Sequence, residues 1–259
     1  MTCFDRSLLR LMPPALRARD FHLYLEGGKR ITDLWRFGGK AVLGHKPPRV
    51  LSELKNAAER GLFTPLPHPL EKRLLKALAL LFPGRSFRLY IEESSLQLSV
   101  TNAGLDYAQV PLWRPFLGEL TDSVTITVMP WPQGPAVLVL PESLEKSFPS
   151  GDLIPPLLLA PAVRAIYNLA AILKTFDPGR DWPNYPKIKK ALANGIWRHQ
   201  GIYLTLKQNM DKTQYETLFR RFLEGGFLLP PSPEEPAILP FTMSAGEEAK
   251  LAELLGGKN

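Results

Sequence analysis

Hydrophobic positions recur along this chain in two rhythms that divide it into many short elements. Leu8, Leu9, Leu11, Met12 and Leu16 are interleaved with arginines, the pattern of a short amphipathic helix over residues 7–19 that Pro13 and Pro14 break. From Phe21 to Trp35 the period changes to two. Alternating runs there flank Gly27 and Gly28, which can supply the positive φ angles of a tight hairpin turn. A glycine-containing loop follows over residues 37–45. Pro47 and Pro48 can open a helix, because the first turn has no use for their missing amide protons. That helix runs to Arg60 and stops at Gly61. A second helix is expected over residues 69–81, with Leu70, Leu74, Leu78 and Leu81 on one side, ended by Pro83 and Gly84.

The apolar run at residues 87–91 reads as a buried strand. Residues 124–128 alternate like a strand and 136–140 form an apolar run of strand length. Pro130, Pro132, Gly134 and Pro135 separate the two. A helix is expected over 162–176, with Val163, Ile166, Tyr167, Ala170 and Leu173 at helical spacing. Beyond a turn-rich stretch at 177–183 come a helix over 187–196, a strand over 201–206 and a helix over 213–224 that stops at Gly225 and Gly226. Short strands at 227–229 and 237–239 precede a last helix that begins at Ser244. Ser244 and Glu247 have capping-box spacing, so each can satisfy an amide of the other. Helices and strands alternate throughout, which favours an α/β layered fold.

Composition narrows the functional classes. The chain has 259 residues, long enough for one large domain or two modest ones, and 45% hydrophobic against 22% charged residues is ordinary for a globular protein. Its single cysteine, Cys3, allows no intramolecular disulfide and no cysteine zinc cluster. His22, His45, His68 and His199 are scattered without metal-ligand spacing, so no metal is expected. The 26 prolines mark many short connections and argue against a simple helical bundle. The N-terminus lacks the apolar stretch of a secretory signal. The most apolar segment, residues 153–173, carries Pro155, Pro156, Pro161, Arg164 and Asn168, which suit a buried core better than lipid. A cytoplasmic protein without a membrane segment is therefore expected. Basic residues outnumber acidic ones by 32 to 25, a net charge of +7 that would suit an anionic partner. They are spread over the whole length, however, and no nucleic-acid module is recognisable. The densest group, Lys187, Lys189 and Lys190 with Arg198, fits a solvated helix face.

Two stretches carry a resemblance. At one end, LEGGKRITD (Leu25 to Asp33) is similar to a D-x-D-G-x-x-Y-x-D hairpin. Gly38 and the run Leu43-Gly44-His45 before Pro47 are similar to a glycine loop with L-G-H-x-x-P, and Glu71 stands where an acidic residue follows. At the other end, YETLFRRFLEGGFLLPPS (Tyr215 to Ser232) is similar to a helix, glycine stop and G-x-x-L-P-P-S strand, and SAGEE from Ser244 resembles the opening of a last helix. In this order the motifs resemble the class III aminotransferases, particularly the glutamate-1-semialdehyde aminomutase type, over a little more than half the chain. The resemblance implies a reduced pyridoxal-phosphate (PLP) dependent transferase of fold type I. Its large α/β domain would be shortened to residues 46–176, with an α+β small domain at 177–259. An N-terminal arm and hairpin, residues 1–45, would pack with that small domain. The family's active sites lie at a subunit interface, so a homodimer, or a heteromer with an intact relative, is also implied.

PLP chemistry requires a Schiff-base lysine, an acid on the pyridine nitrogen, a phosphate cradle and usually a stacking aromatic, because the protein must place and tune the cofactor. The phosphate cradle of the family corresponds here to IEESSLQ, with Ser94 and Ser95 as candidate cofactor-binding residues. The glycine of the cradle is gone, and Glu92 and Glu93 stand at the same helix end. There they help the helix by about 0.3–1 kcal/mol each but would repel a phosphate. The strand AVLVLPE resembles the one that ends in the family's aspartate, yet Pro141 occupies that position, followed by Glu142. Lys146, before Gly151, is the candidate catalytic lysine, with a surface lysine beside Glu142 and Glu145 as the plain alternative. Trp113 and Trp131 are the aromatics available to stack. Relatives are longer, and the shortfall falls between about Asp106 and Val137. The residues thus suggest a vestigial, non-catalytic aminotransferase-like protein. A minimal PLP aminotransferase or aminomutase using Lys146, or a basic nucleic-acid or protein binding module, is the alternative.

Overall fold

The computed structural model describes residues 6–117, 123–176 and 185–257. Cys3 and the turn-rich stretch at 177–183 lie outside the described residues. The chain divides into two compact units, one drawn from residues 1–45 and 177–259, the other from residues 46–176.

In the first unit, a short helix α1 (Arg6–Leu9) precedes β1 (Ala15–Arg19), β2 (His22–Leu25) and β3 (Arg30–Asp33). The helix expected over 7–19 is thus only a single turn. Pro13 and Pro14 end it, and the residues beyond them are taken up by antiparallel pairing with β2, where Arg17 lies 4.1 Å over the ring of Tyr24. The expected hairpin is present, with Gly27 and Gly28 at φ +80 and +82 and Leu23 opposite Ile31. From the far end of the chain come α6 (Pro186–Asn194), β8 (Trp197–Gln200), β9 (Tyr203–Leu206), α7 (Lys212–Glu224), β10 (Phe227–Leu228), β11 (Ala237–Ile238) and α8 (Ala245–Leu255). β10 joins the N-terminal hairpin in parallel beside β3, giving the order β1-β2-β3-β10, and β11-β9-β8 form a second small sheet. The single strand expected over 201–206 is therefore half of a hairpin that turns at Gly201. Both α7 and α8 start in capping boxes, Asp211 with Gln214 and Ser244 with Glu247. Ile31, Leu34, Phe219, Phe222, Leu239 and Leu251 sit in one core with no more than 1% exposure.

The second unit is built on a four-stranded sheet in the order β4-β7-β6-β5, made of β4 (Arg85–Tyr90), β5 (Leu112–Trp113), β6 (Thr125–Thr127) and β7 (Ala136–Pro141). Helices α3 (Pro69–Ala79), α4 (Glu93–Asn102) and α5 (Pro156–Thr175) pack against it, and α2 (Val50–Glu59) lies on α5. The unbroken apolar run of β7 has a simple cause. Side chains alternate across a strand, so Val137 and Val139 enter one core with α3 and α5, while Leu138 and Leu140 enter another with Leu96 and Val100 of α4. A strand buried on both faces cannot show polar alternation. α5 starts six residues earlier than its periodicity predicts and contains Pro161. The missing amide of Pro161 costs one helical hydrogen bond. Packing against α2 and α3 outweighs it, with Leu159, Ala162, Val163 and Ile166 all at or below 4% exposure. By length and composition α5 could cross a membrane, but 56% of its most apolar window is buried inside this unit.

Candidate functional site

Ser94 and Ser95 lie in the first turn of α4, directly after β4. Its N-cap, Glu92, makes no side-chain capping bond, so the first amides are open to another acceptor. The surroundings are anionic. The Ser94 hydroxyl donates to the carboxylate of Glu92 at 3.1 Å, and the Tyr107 hydroxyl donates to Glu93 at 2.6 Å. Burial, then the hydrogen bond to Glu93 and its negative charge, push the Tyr107 hydroxyl well above its usual range. Asp152 brings a third carboxylate, which accepts from the Ile91 amide at 3.0 Å just before the helix.

Lys146 lies in an exposed 3-10 stretch, Glu142–Ser147, that follows β7. Arg88 of β4 holds this loop by donating to the carbonyls of Glu145 at 2.7 Å and Pro149 at 3.0 Å. Gly151 then runs so close to the backbone of Leu89 that a Cβ there would collide with its carbonyl and amide. That close approach gives the Lys146-to-Gly151 turn a backbone reason for its glycine. Pro141 is buried and Glu142 is exposed.

The ladder between β4 and β7 sets the distances among these groups. It is antiparallel, with Arg85 opposite Pro141 and Tyr90 opposite Ala136. Pro141 and the start of α4 therefore stand at opposite ends of the ladder, which is itself about 17 Å long at roughly 3.4 Å per residue. Neither aromatic candidate stands free in a cleft. Trp113 packs edge-on against Phe82 at 4.8 Å, and the Trp131 Nε1 is buried without a hydrogen-bond partner among the described residues. These residues do not fit PLP. The helix end that would take the phosphate is ringed by carboxylates, and no acid from β7 reaches toward it.

The motifs at the two chain ends do converge, inside the first unit. Asp33, 3% exposed, accepts from the amides of Trp35 at 2.8 Å and Arg36 at 2.9 Å, and its other oxygen lies 2.9 Å from Nε2 of His45. Arg36 is wholly buried. It donates to the carbonyls of Asp33, Val42 and Ile238 at 3.4, 3.3 and 3.2 Å and lies 4.3 Å over the ring of Phe21. Burial pulls its guanidinium down to about 10, against the opposing charge of Asp33 and the Tyr203 and Tyr185 hydroxyls. The Trp35 indole donates to Glu235 at 2.7 Å, and the Tyr215 hydroxyl donates to the Pro230 carbonyl at 2.7 Å. Residues 36–39 form a left-handed turn with φ of +47, +51, +66 and +97. For Arg36 and Phe37 that costs about 1–2 kcal/mol each, so the buried bonds must hold it in place. Gly44, at φ +89, passes so near the Asp20 carbonyl that a Cβ would sit 2.9 Å from its oxygen. Nothing in the sequence marks Arg36 as buried; only its place beside Trp35 and before two glycines hints at an unusual turn.

No family model matches the chain. It is similar to an uncharacterized protein of Treponema pallidum (strain Nichols), 27% identical over an alignment of 287 positions that takes in 93% of each chain. A shorter stretch is similar to the glutamate-1-semialdehyde 2,1-aminomutase of Clostridium acetobutylicum, 36% identical over 69 residues, which is 26% of this chain and 16% of that enzyme. Among solved structures, ornithine δ-aminotransferase of Plasmodium falciparum aligns with a TM-score of 0.68 at 11% identity, over 95% of this chain and 92% of the other. Acetylornithine aminotransferase of Elizabethkingia anophelis aligns with a TM-score of 0.67 at 9% identity, over 98% of both chains. At such identities the likeness speaks for the fold. The chain has the α/β fold of the PLP-dependent fold type I aminotransferases, in a reduced version.

Proposed function

We propose that this chain is a non-catalytic, cytoplasmic protein of aminotransferase fold that keeps the scaffold and pairs with a second copy of itself or with an intact relative. The observation that carries this reading is the end of α4. Where the fold would bring a doubly negative phosphate to open helix amides, this chain places Glu92 and Glu93, with their hydrogen bonds from Ser94 and Tyr107, and Asp152 beside them. A helix terminus attracts anions only through its partial positive charge, about half an elementary charge. Three carboxylates outweigh it. The separation of Pro141 from that helix end supports the same conclusion, since no acid from β7 would hold the pyridine nitrogen protonated.

Titration of the purified protein with PLP, followed by imine absorbance, tests the reading. The expected result is no saturable band in the low micromolar range and no difference between wild type and Lys146→Ala. A stoichiometric band that Lys146→Ala abolishes would overturn the reading and favour a minimal PLP enzyme with Lys146 as the Schiff-base lysine. Sedimentation velocity tests the pairing, and a monomer over the accessible concentration range would remove the self-association.

A further inference from the structure

The second unit holds an open groove, of about 150 Å³, that plays no part in the reading above. It lies between α2 and α3, and its lining follows helical periodicity. Glu53, Asn56, Ala57 and Arg60 are spaced i, i+3, i+4 and i+7 along α2 and its C-cap, so they share one face. Leu70 and Arg73, three apart on α3, face the same space. The groove exists because its floor is small. Ala57 is 4% exposed and Ala160 of α5 is 5% exposed, and neither fills the gap between the helices. An adjoining hollow shares Glu53, Leu70 and Arg73 and extends to Arg164 and Tyr167 on α5.

The charges in this groove are unbalanced. Among the described residues no hydrogen bond or ion pair engages the side chain of Arg60 or Arg73. In the adjoining hollow, the Nε of Arg164 is buried without a hydrogen-bond partner among the described residues. A buried donor left unpaired is costly and calls for a partner. His68 adds a donor, because its Nδ1 accepts from the Leu70 amide at 3.2 Å, leaving Nε2 to carry the proton in the neutral ring. Guanidinium forks match the planar oxygen pairs of carboxylates and phosphates. Leu62 and Leu70 offer an apolar wall beside them, while Glu53 and Asn56 offer acceptors for a hydroxyl or ammonium on the same molecule.

We propose that this groove binds a small organic anion, holding a carboxylate or phosphate group between Arg60 and Arg73. The inference does not depend on whether PLP binds near α4.

Calorimetric titration of the full chain with inorganic phosphate and with acetate, at constant ionic strength, tests it. Saturable binding of at least one probe is expected. Phosphate alone would point to a phosphate-bearing ligand, and acetate to a carboxylate. The double substitution Arg60→Gln/Arg73→Gln should weaken binding at least about tenfold, the loss expected for charge-assisted hydrogen bonds. Both side chains are exposed and, among the described residues, unpaired, so an unchanged circular dichroism spectrum and melting temperature should show that the double variant folds. Glu53→Gln removes a like charge from the rim and should tighten binding of inorganic phosphate. Failure of both probes to saturate, or equal affinity in the double variant, would overturn the proposal. So would weaker phosphate binding in Glu53→Gln.

Discussion

Replacing Arg36 with methionine removes a charge from the interior of the first unit while keeping a similar volume. Two effects oppose each other. Burial of an arginine is expensive, as the drop of its guanidinium to about 10 records, and a hydrophobic residue in place of a buried ion can be neutral or stabilising. Against this, the substitution leaves the carbonyls of Asp33, Val42 and Ile238 without their donor. Those carbonyls are backbone and cannot be replaced by apolar groups. Each buried acceptor left unpaired costs about 1–3 kcal/mol, and the contacts of 3.2–3.4 Å place these at the lower end. Loss of the cation over Phe21 adds about 1 kcal/mol. The guanidinium desolvation regained offsets part of the sum, so the net destabilisation should be about 2–4 kcal/mol. Urea unfolding, followed by tryptophan fluorescence and far-ultraviolet circular dichroism, measures it. Two further variants isolate the backbone. Arg36→Gly should be milder than Arg36→Ala by about 1 kcal/mol, because glycine accepts φ +47 freely. A methionine variant as stable as wild type would refute the claim that the three carbonyls depend on this cation. Equal glycine and alanine variants would refute the strain.

Glu247 should make stability fall in acid. Burial pushes its carboxyl up, but the Ser244 amide and hydroxyl and then His22 pull it down to about 2, below the ordinary 4.5. Its contribution is therefore fully present above about pH 4.5 and lost as pH falls through about 2, roughly 1–2 kcal/mol after solvent screening. Denaturant unfolding across that window should show the loss, and Glu247→Gln should flatten it. Changing Glu92 and Glu93 together to glutamine should raise the apparent affinity for PLP by about thirtyfold in an absorbance titration, because each carboxylate repels a nearby unit charge by about 1 kcal/mol in water, about 2 kcal/mol together. No gain over wild type would refute the repulsion argued for α4.

Most elements were legible because they rest on local rules. Gly27 and Gly28 mark the hairpin, Gly61 and Gly84 follow α2 and α3 with φ of +69 and +68, and Ser244 caps α8. The misreadings have a common origin in pairing beyond the sequence window. β1 shows helical spacing and is a strand because β2 lies beside it. Three of the four residues of β8 are polar and exposed, so only its ladder with β9 identifies it. The candidate site was legible in its composition and not in its arrangement. Ser94, Pro141 and Lys146 could be named from the chain, but only the antiparallel register of β4 and β7 reveals that the first two stand at opposite ends of a ladder. Likewise the i, i+3, i+4, i+7 run Glu53-Asn56-Ala57-Arg60 is visible along the chain, while its meeting with Arg73 depends on helix packing.

The residues that carry the family resemblance and the residues that PLP chemistry needs answer to different physics. Asp33 is fixed by two amides it must accept from, Gly44 by the Asp20 carbonyl it must pass, and Tyr215 by the Pro230 carbonyl it must reach. Each serves the packing and hydrogen bonding of the first unit, whatever the chain binds. A cradle glycine, a strand-end aspartate and a Schiff-base lysine serve a cofactor instead, and an unmet catalytic geometry is no burden on folding. At the end of α4, Glu92 and Glu93 favour the helix by about 0.3–1 kcal/mol each, so the same substitutions that repel a phosphate stabilise the scaffold. A chain relieved of catalysis would gain from such changes, and for that reason a fold of this kind can stay recognisable at its ends while its cofactor site closes.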